Sequence, residues 1–292
     1  MTSTANHHNH HYRALLSFYG LLGLFTGALG VLGVGIYQDW LVMGHRLTSV
    51  RTCLTFFRSH LWYLAVLVLL VALLAVILGR FGFFLGGQLA SSRRLTAQVA
   101  GVRIPLPGDL SGLVTRHGLT GRVFYTGDEA PYAFTCGLVR PSVVLSRGLL
   151  ASLDREELEA VLLHEKYHLS HYDPLKVCLG RAMARSLFLI PLAGFLWRGY
   201  AQAKELAADR HAIGQMGDDL GLSMALWKMI PRTRELPVNV PLVGALGAVE
   251  LRIAQLVGGP AAARFPIAPG RQVVTTVAVL FLALTFFTAS CA

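Results

Sequence analysis

Charge is scarce in this chain: 14% of its 292 residues are charged, against 54% hydrophobic, a balance that argues against an ordinary soluble protein and for a membrane one. Acidic residues are the scarcer sign, and 26 Lys and Arg against 16 Asp and Glu leave a net charge of +10. No basic stretch is interleaved with aromatics, so no direct nucleic-acid binding is expected. The four cysteines, Cys53, Cys136, Cys178 and Cys291, show no C-x-x-C spacing, which removes a cysteine zinc site and a disulfide framework. They read as packing residues of a reducing compartment. Thr288-Ala289-Ser290-Cys291 looks like a lipid-attachment signal, but that signal belongs at an N-terminus.

What the chain does have is long apolar runs. Ala14 to Ile36 is uncharged for about 23 residues, enough to cross a hydrocarbon core of roughly 30 Å and longer than the apolar part of a cleavable signal peptide. Leu61 to Gly79 is a second run, extended past Arg80 by Phe81, Phe83, Phe84 and Leu85, and Val273 to Thr288 is a third. Basic residues flank them: Arg13 before the first, Arg80, Arg93, Arg94 and Arg103 after the second, Arg264 and Arg271 before the third, with Arg46, Arg51 and Arg58 on the opposing loop. The positive-inside bias predicts a multi-pass cell-membrane protein with its N-terminus and central region cytoplasmic and its C-terminus outside. The first span carries Gly20, Gly23, Gly27, Gly30 and Gly33, a small-residue stripe that lets another helix approach closely. Ahead of it lie His7, His8, His10 and His11, read as a disordered leader, with metal capture as the alternative. The expected organisation is a leader at 1–12, a transmembrane hairpin at 13–90, a cytoplasmic domain at 91–270 and a terminal span at 271–292.

Within the central region, Arg122 to Thr126, Tyr132 to Cys136 and Ser142 to Leu145 are short β-branched or aromatic runs separated by Gly, Pro and Asp, and predict a small sheet. If Ser142, Val143, Val144 and Leu145 form an edge, they could bind an extended peptide by strand addition; an ordinary paired strand is the alternative. Asp154 followed by Glu157 predicts a capped helix from about Arg155 to His171, limited by Pro174.

That helix carries His164-Glu165-Lys166-Tyr167-His168. Histidines four apart lie about 400° round a helix, so both imidazoles leave one face and can share a zinc ion. Glu165, beside them, is placed to take a proton from a metal-activated water and return it to the leaving amine, a hydrolysis without a covalent intermediate. A third ligand is needed. One peptidase class would place a histidine six residues after His168, where this chain has Pro174, so glutamate must supply it. Ala203-Lys204-Glu205-Leu206-Ala207-Ala208-Asp209 offers Glu205 as ligand and, one turn later, Asp209 to hold a histidine ring nitrogen. The alternative for Glu205 is a salt bridge to Lys204 or Arg210. His171 is a donor near the metal, an oxyanion stabiliser or a capping histidine, and His211 and Arg252 are auxiliary candidates.

In these residues the chain resembles the gluzincin membrane proteases, and within them the peptidase region of BlaR/MecR-type antibiotic-sensing receptors. The resemblance runs over roughly residues 100–290: Gly137 to Pro141, Val143 to Leu145, His164-Glu165-x-x-His168 with Asp173-Pro174-Leu175, Phe188 to Phe195 with Pro191, Glu205-x-x-Ala208-Asp209, and Leu251-Arg252-Ile253-x-x-Leu256. It implies one zinc per chain on His164, His168 and Glu205, Glu165 as catalytic base, and a cytosolic regulatory substrate such as a DNA-binding repressor. Such receptors continue into an extracellular penicillin-binding sensor; with its last residue at Ala292, this chain is expected to carry none.

Glu205 must share a membrane side with the histidines. Lys176, Arg181 and Arg185 would each cost about 2.5–3.5 kcal/mol at a helix centre, and Ser186 to Trp197 is only about 12 residues, which suits a re-entrant or buried helix at 186–197. Charged Asp154 to Glu159 argue against a metal helix buried in lipid, so cleavage at the membrane face or in the cytosol is expected. The fold expected is a mainly α membrane protein with three transmembrane helices, the re-entrant or buried helix, a small sheet and, from the resemblance, a gluzincin-type α+β zinc peptidase domain. Membrane lipid and a protein or peptide substrate are its expected partners. A quality-control protease of the HtpX type is the enzymatic alternative, and a zinc-stabilised membrane signalling scaffold the non-enzymatic one. A purely structural zinc would have no need of Glu165.

Overall fold

The computed structural model describes residues 2–46, 61–229, Arg252 and residues 270–289. The loop with Arg51 and Arg58, and all of the Leu251 to Leu256 motif except Arg252, lie outside the described residues. The chain divides into two compact units, each discontinuous in sequence: Met1–Phe18 with Gly86–Leu179 and Arg198–Pro266, and Tyr19–Leu85 with Gly180–Trp197 and Ile267–Ala292. The linear partition expected from composition does not coincide with them, because helices run through its boundaries.

The second unit is apolar and helical. It takes most of α1 (Thr2–Arg46), the first part of α2 (Leu61–Gly101) and α9 (Gly270–Ala289). Two stretches are long and apolar enough to cross a membrane, His10–Gln38 at a mean hydropathy of 1.9 and Ala65–Gly101 at 2.7. Leu69 and Phe83 stand 65% and 76% exposed on the second of these, the arrangement expected of a lipid-facing surface. Arg80 closes the apolar stretch at one end. Its guanidinium lies 5.3 Å and 4.8 Å from the Phe84 and Phe188 rings and donates to the Arg185 carbonyl at 3.1 Å.

Three expectations are corrected here. The leader is not disordered: α1 begins at Thr2, since extending an already formed helix costs far less than nucleating one. The glycine stripe serves a helix contact only in part among the described residues: a Cβ at Gly20 would meet the Leu196 side chain at 3.7 Å, whereas one at Gly23, Gly27, Gly30 or Gly33 would meet nothing within 4 Å. Residues 186–197 are not one re-entrant or buried helix. Helix α6 (Asp173–Ser186) ends there, and α7 (Pro191–Met216) starts afresh at Pro191, which disfavours a helical residue before it and suits a first helical position.

The first unit is built on a four-stranded sheet. Strands β1 (Arg103–Ile104), β2 (Val123–Thr126), β3 (Ala133–Cys136) and β4 (Ser142–Ser146) lie in the order β1-β2-β4-β3, with β2 and β4 parallel and the other pairings antiparallel. Strand β4 is therefore interior, and Ser142 to Leu145 cannot be the peptide-binding edge. Val143, Val144 and Leu145 are each 0% exposed, a run buried on both faces, as a central strand requires. Val143 and Leu145 pack with Val123, Tyr125, Leu149, Leu158 and Leu162, while Val144 turns to Val99, Tyr132 and Cys136 on the other face. The end of α2, through Leu95 and Val99, thus covers one side of the sheet.

The other face carries α3 (Gly108–Arg116), α4 (Arg147–Ser152) and α5 (Arg155–Ser170), with α8 (Leu220–Met229) against α5. Gly148 lets β4 turn into α4 beneath residues 129–130, where an added Cβ would fall 1.9 Å from the Glu129 carbonyl oxygen. Because that obstacle is backbone, Gly148→Ala is expected to lower stability by about 1–3 kcal/mol or more. A thermal unfolding midpoint equal to that of the wild type would refute this.

Candidate metal centre

Helix α5 is set at its start by a capping box. Asp154 Oδ1 accepts from the Glu157 amide and Glu157 Oε2 from the Asp154 amide, both at 2.9 Å. Glu157 also receives Lys228 of α8 at 2.7 Å, so the helix is fixed at its origin as well as by its apolar face. One turn before its end, His164 and His168 project together, as their spacing predicts. Helix α7 brings Glu205 to them.

His164 Nε2 and His168 Nε2 are 3.2 Å apart, and Glu205 Oε2 is 3.5 Å from the first and 3.7 Å from the second. Tetrahedral zinc with bonds of about 2.0–2.1 Å separates its ligand atoms by roughly 3.3–3.4 Å, so this triangle fits the ion. The donor chemistry fits as well. Both rings turn Nε2 inward and set Nδ1 against a carboxylate, His164 Nδ1 lying 2.8 Å from Asp209 Oδ1 and His168 Nδ1 2.7 Å from Asp173 Oδ2. Such partners fix the ring orientation and raise its basicity towards a metal. The three residues form a possible metal-binding group.

The two readings of Glu205 are compatible, because its oxygens divide the work. Oε1 pairs with Lys204 Nζ while Oε2 faces the imidazoles. Burial opposes ionisation of Glu205, but Lys204 and His168 outweigh it and hold the carboxyl well below its usual range. For His168, burial and Lys204 act downward, yet Glu205 and Asp173 prevail and push it up to about 9. Asp209 is 0% exposed. Burial is overcome there by Arg252 and His164, which keep it ionised.

Arg252 comes from far along the chain. Its Nε and Nη2 donate to Asp209 Oδ2 and Oδ1 at 2.9 Å and 2.8 Å, a bidentate pairing. An Arg252–Asp209–His164 chain results. Asp173 was missed as a partner of the centre by residue-level reading, although the Asp173-Pro174-Leu175 triplet was visible. What delivers it is Tyr172, left-handed at φ 53°, which turns the chain back after α5 so that the first residue of α6 reaches His168. Tyr200 Oη donates to its other oxygen at 3.0 Å.

Glu165 stands beside the triad and is 8% exposed. Thr135 Oγ1, on strand β3, donates to its Oε2 at 2.8 Å, with the Glu165 carbonyl oxygen 3.1 Å away. Sequence reading offered no signal for Thr135. The remaining candidates are not brought to the triad. His171 is the C-cap of α5, its Nδ1 2.8 Å from the Tyr167 carbonyl oxygen, and His211 makes a ring contact with Tyr167 at 5.7 Å.

Residues 129–256 match the family described as BlaR1 peptidase M56, a stretch that includes every residue of the triad, Glu165, Asp209 and Arg252. The chain is also similar to proteins named protease HtpX homolog. That of Limosilactobacillus fermentum is 35% identical over 88 residues, 29% of each chain. That of Thermococcus sibiricus is 33% identical over 119 residues, 39% of this chain and 40% of the relative. That of Acidiphilium cryptum is 25% identical over 166 residues, 45% and 58% respectively. The chain thus spans between about a quarter and three fifths of the length of such relatives, and no solved structure matches it.

With the two apolar helices, these similarities support a membrane protease. They lead to two particular kinds, BlaR1-like peptidases and HtpX-like proteases.

Proposed function

We propose that the chain is an integral-membrane zinc endopeptidase with His164, His168 and Glu205 as metal ligands and Glu165 as catalytic base. The observation that carries this is the triangle of Nε2, Nε2 and Oε2 atoms at tetrahedral spacing beside a second, unshared glutamate. When bound, zinc supplies Lewis acidity, bringing the pKa of a water towards about 7 and polarising a peptide carbonyl. The chain's own residues do the rest. Thr135 engages Glu165 Oε2 and leaves Oε1 to take the water's proton and pass it to the leaving nitrogen. Asp209 and Asp173 hold both imidazoles in the tautomer that presents Nε2. Lys204 keeps Glu205 to a single oxygen towards the ion. Thr135→Val removes the orienting bond and is expected to lower kcat by roughly tenfold with little change in KM. Unchanged kcat would remove Thr135 from the mechanism.

Among the described residues β3 has a neighbour on one side only, so β3 replaces β4 as the strand to which an extended substrate would add. In this reading α9 forms a third membrane crossing, and the site faces the cytoplasm by the basic-residue bias.

The match to BlaR1 peptidase M56 over residues 129–256 favours a regulatory substrate, such as a repressor cut at one site. The similarity to HtpX homologs supports quality control about as well. Incubating the purified full chain with a defined repressor and with unfolded casein separates the two. Single-site cleavage that spares casein upholds the regulatory role, whereas broad digestion upholds quality control.

A further inference from the structure

The mechanism leaves unused a basic cluster in the apolar unit. Arg80 of α2 and Arg185 of α6 share one aromatic ring, their guanidinium carbons 5.3 Å and 5.1 Å from the centre of Phe84. Arg80 also lies over Phe188 at 4.8 Å and ties the end of α6 by donating to the Arg185 carbonyl. Arg181 stands one turn before Arg185, and side chains four apart on a helix are neighbours. Burial and the like charge of Arg185 hold the Arg181 guanidinium below its usual range. Among the described residues no carboxylate forms an ion pair with any of the three. A helix C-terminus favours a cation at Arg185 and a ring face attracts one, but neither neutralises three like charges gathered together. An anion is what the cluster lacks.

A half-open cavity begins beside it. Phe188, under Arg80, lines this cavity together with Leu32 of α1, Leu73 and Ile77 of α2, Leu187 and Val279 of α9, and its walls are almost wholly apolar. Such a space suits hydrocarbon better than water. Ile77 and Arg80 are three residues apart on α2, so cavity wall and charge share one side of that helix.

We propose that cluster and cavity form a binding site for one anionic phospholipid, its phosphate held by Arg80, Arg181 and Arg185 and one acyl chain lying along the cavity. The planar, multiply donating guanidinium is suited to phosphate oxygens. Free phosphate satisfies the cluster and not the cavity, and a neutral lipid does the reverse; an anionic amphiphile matches both. In the topology proposed above, Arg80 lies towards the cytoplasmic end of the second crossing, the side where the membrane surface carries anionic lipid. The proposal rests on the membrane location and not on the zinc chemistry.

The test titrates the full chain in detergent with phosphatidylglycerol, or with phosphatidylcholine of the same acyl chains, and follows binding by native mass spectrometry. Wild type is expected to retain one phosphatidylglycerol per chain, with an affinity roughly tenfold or more above that for phosphatidylcholine. Arg80→Gln combined with Arg185→Gln is expected to bring the first lipid down to the level of the second. Leu73→Trp, which fills the cavity and keeps the charges, is expected to weaken both. Equal retention of the two lipids by wild type, an unchanged preference in the double variant, unweakened binding by Leu73→Trp, or displacement of the lipid by inorganic phosphate overturns the proposal. Should the double variant fail to fold, Arg185→Gln alone decides, with a preference reduced several-fold expected and a wild-type preference contradicting the site. Because the readout is lipid retention, failure of this site is distinguishable from failure of the proposed catalytic role.

Discussion

Replacing Glu165 by glutamine is expected to cut peptide-bond hydrolysis by roughly 10²–10⁴-fold while zinc remains bound. The amide is nearly isosteric and can still accept from Thr135, which now engages Oε2 at 2.8 Å, so the fold and the triad have no reason to change. What disappears is a group able to take a proton. Steady-state cleavage of a peptide substrate, with zinc measured in the same preparation, checks it. Near wild-type cleavage would remove Glu165 as the base.

Arg252→Met is expected to be the most damaging change away from the ligands themselves. Asp209 is 0% exposed, and Arg252 meets it with two donors. Removing one partner of a buried pair leaves an uncompensated charge, at a cost of about 3–5 kcal/mol. The loss travels to the metal because Asp209 is the carboxylate against His164 Nδ1. Zinc affinity is expected to fall by roughly 10–100-fold, the usual effect of disturbing a ligand's outer partner. Arg252→Lys should recover only part of this, since an ammonium does not reproduce the planar two-donor fork. Competition with a zinc chelator and denaturant unfolding report the two effects separately. A variant of wild-type stability and affinity would show that the Arg252–Asp209–His164 chain is not coupled as described.

Some of this was legible in the sequence and some was not, for physical reasons. His164 and His168 lie within one helix, where spacing alone fixes geometry, and the Asp154–Glu157 box is likewise local. Short β runs bounded by Gly and Pro marked three of the strands near their true limits. Strand order was another matter, although Val143-Val144-Leu145, apolar on both faces, carried the sign of an interior strand. Thr135 reaches Glu165 only because β3 pairs with β4 and α5 packs on the sheet, a contact 30 residues apart in sequence. Asp173 depends on one left-handed residue, Tyr172, which no periodicity announces. Polar composition suggested disorder for the leader, but composition does not register that a helix already formed downstream propagates back through it.

Elemental analysis of zinc in the dialysed full chain, comparing wild type, Glu205→Ala and Glu165→Gln, tests the central claim most directly. One tightly held zinc per chain is expected in wild type and in Glu165→Gln, and almost none in folded Glu205→Ala. Full zinc occupancy in Glu205→Ala, or a wild type that holds none, would contradict the three-ligand centre on which the proposed function rests.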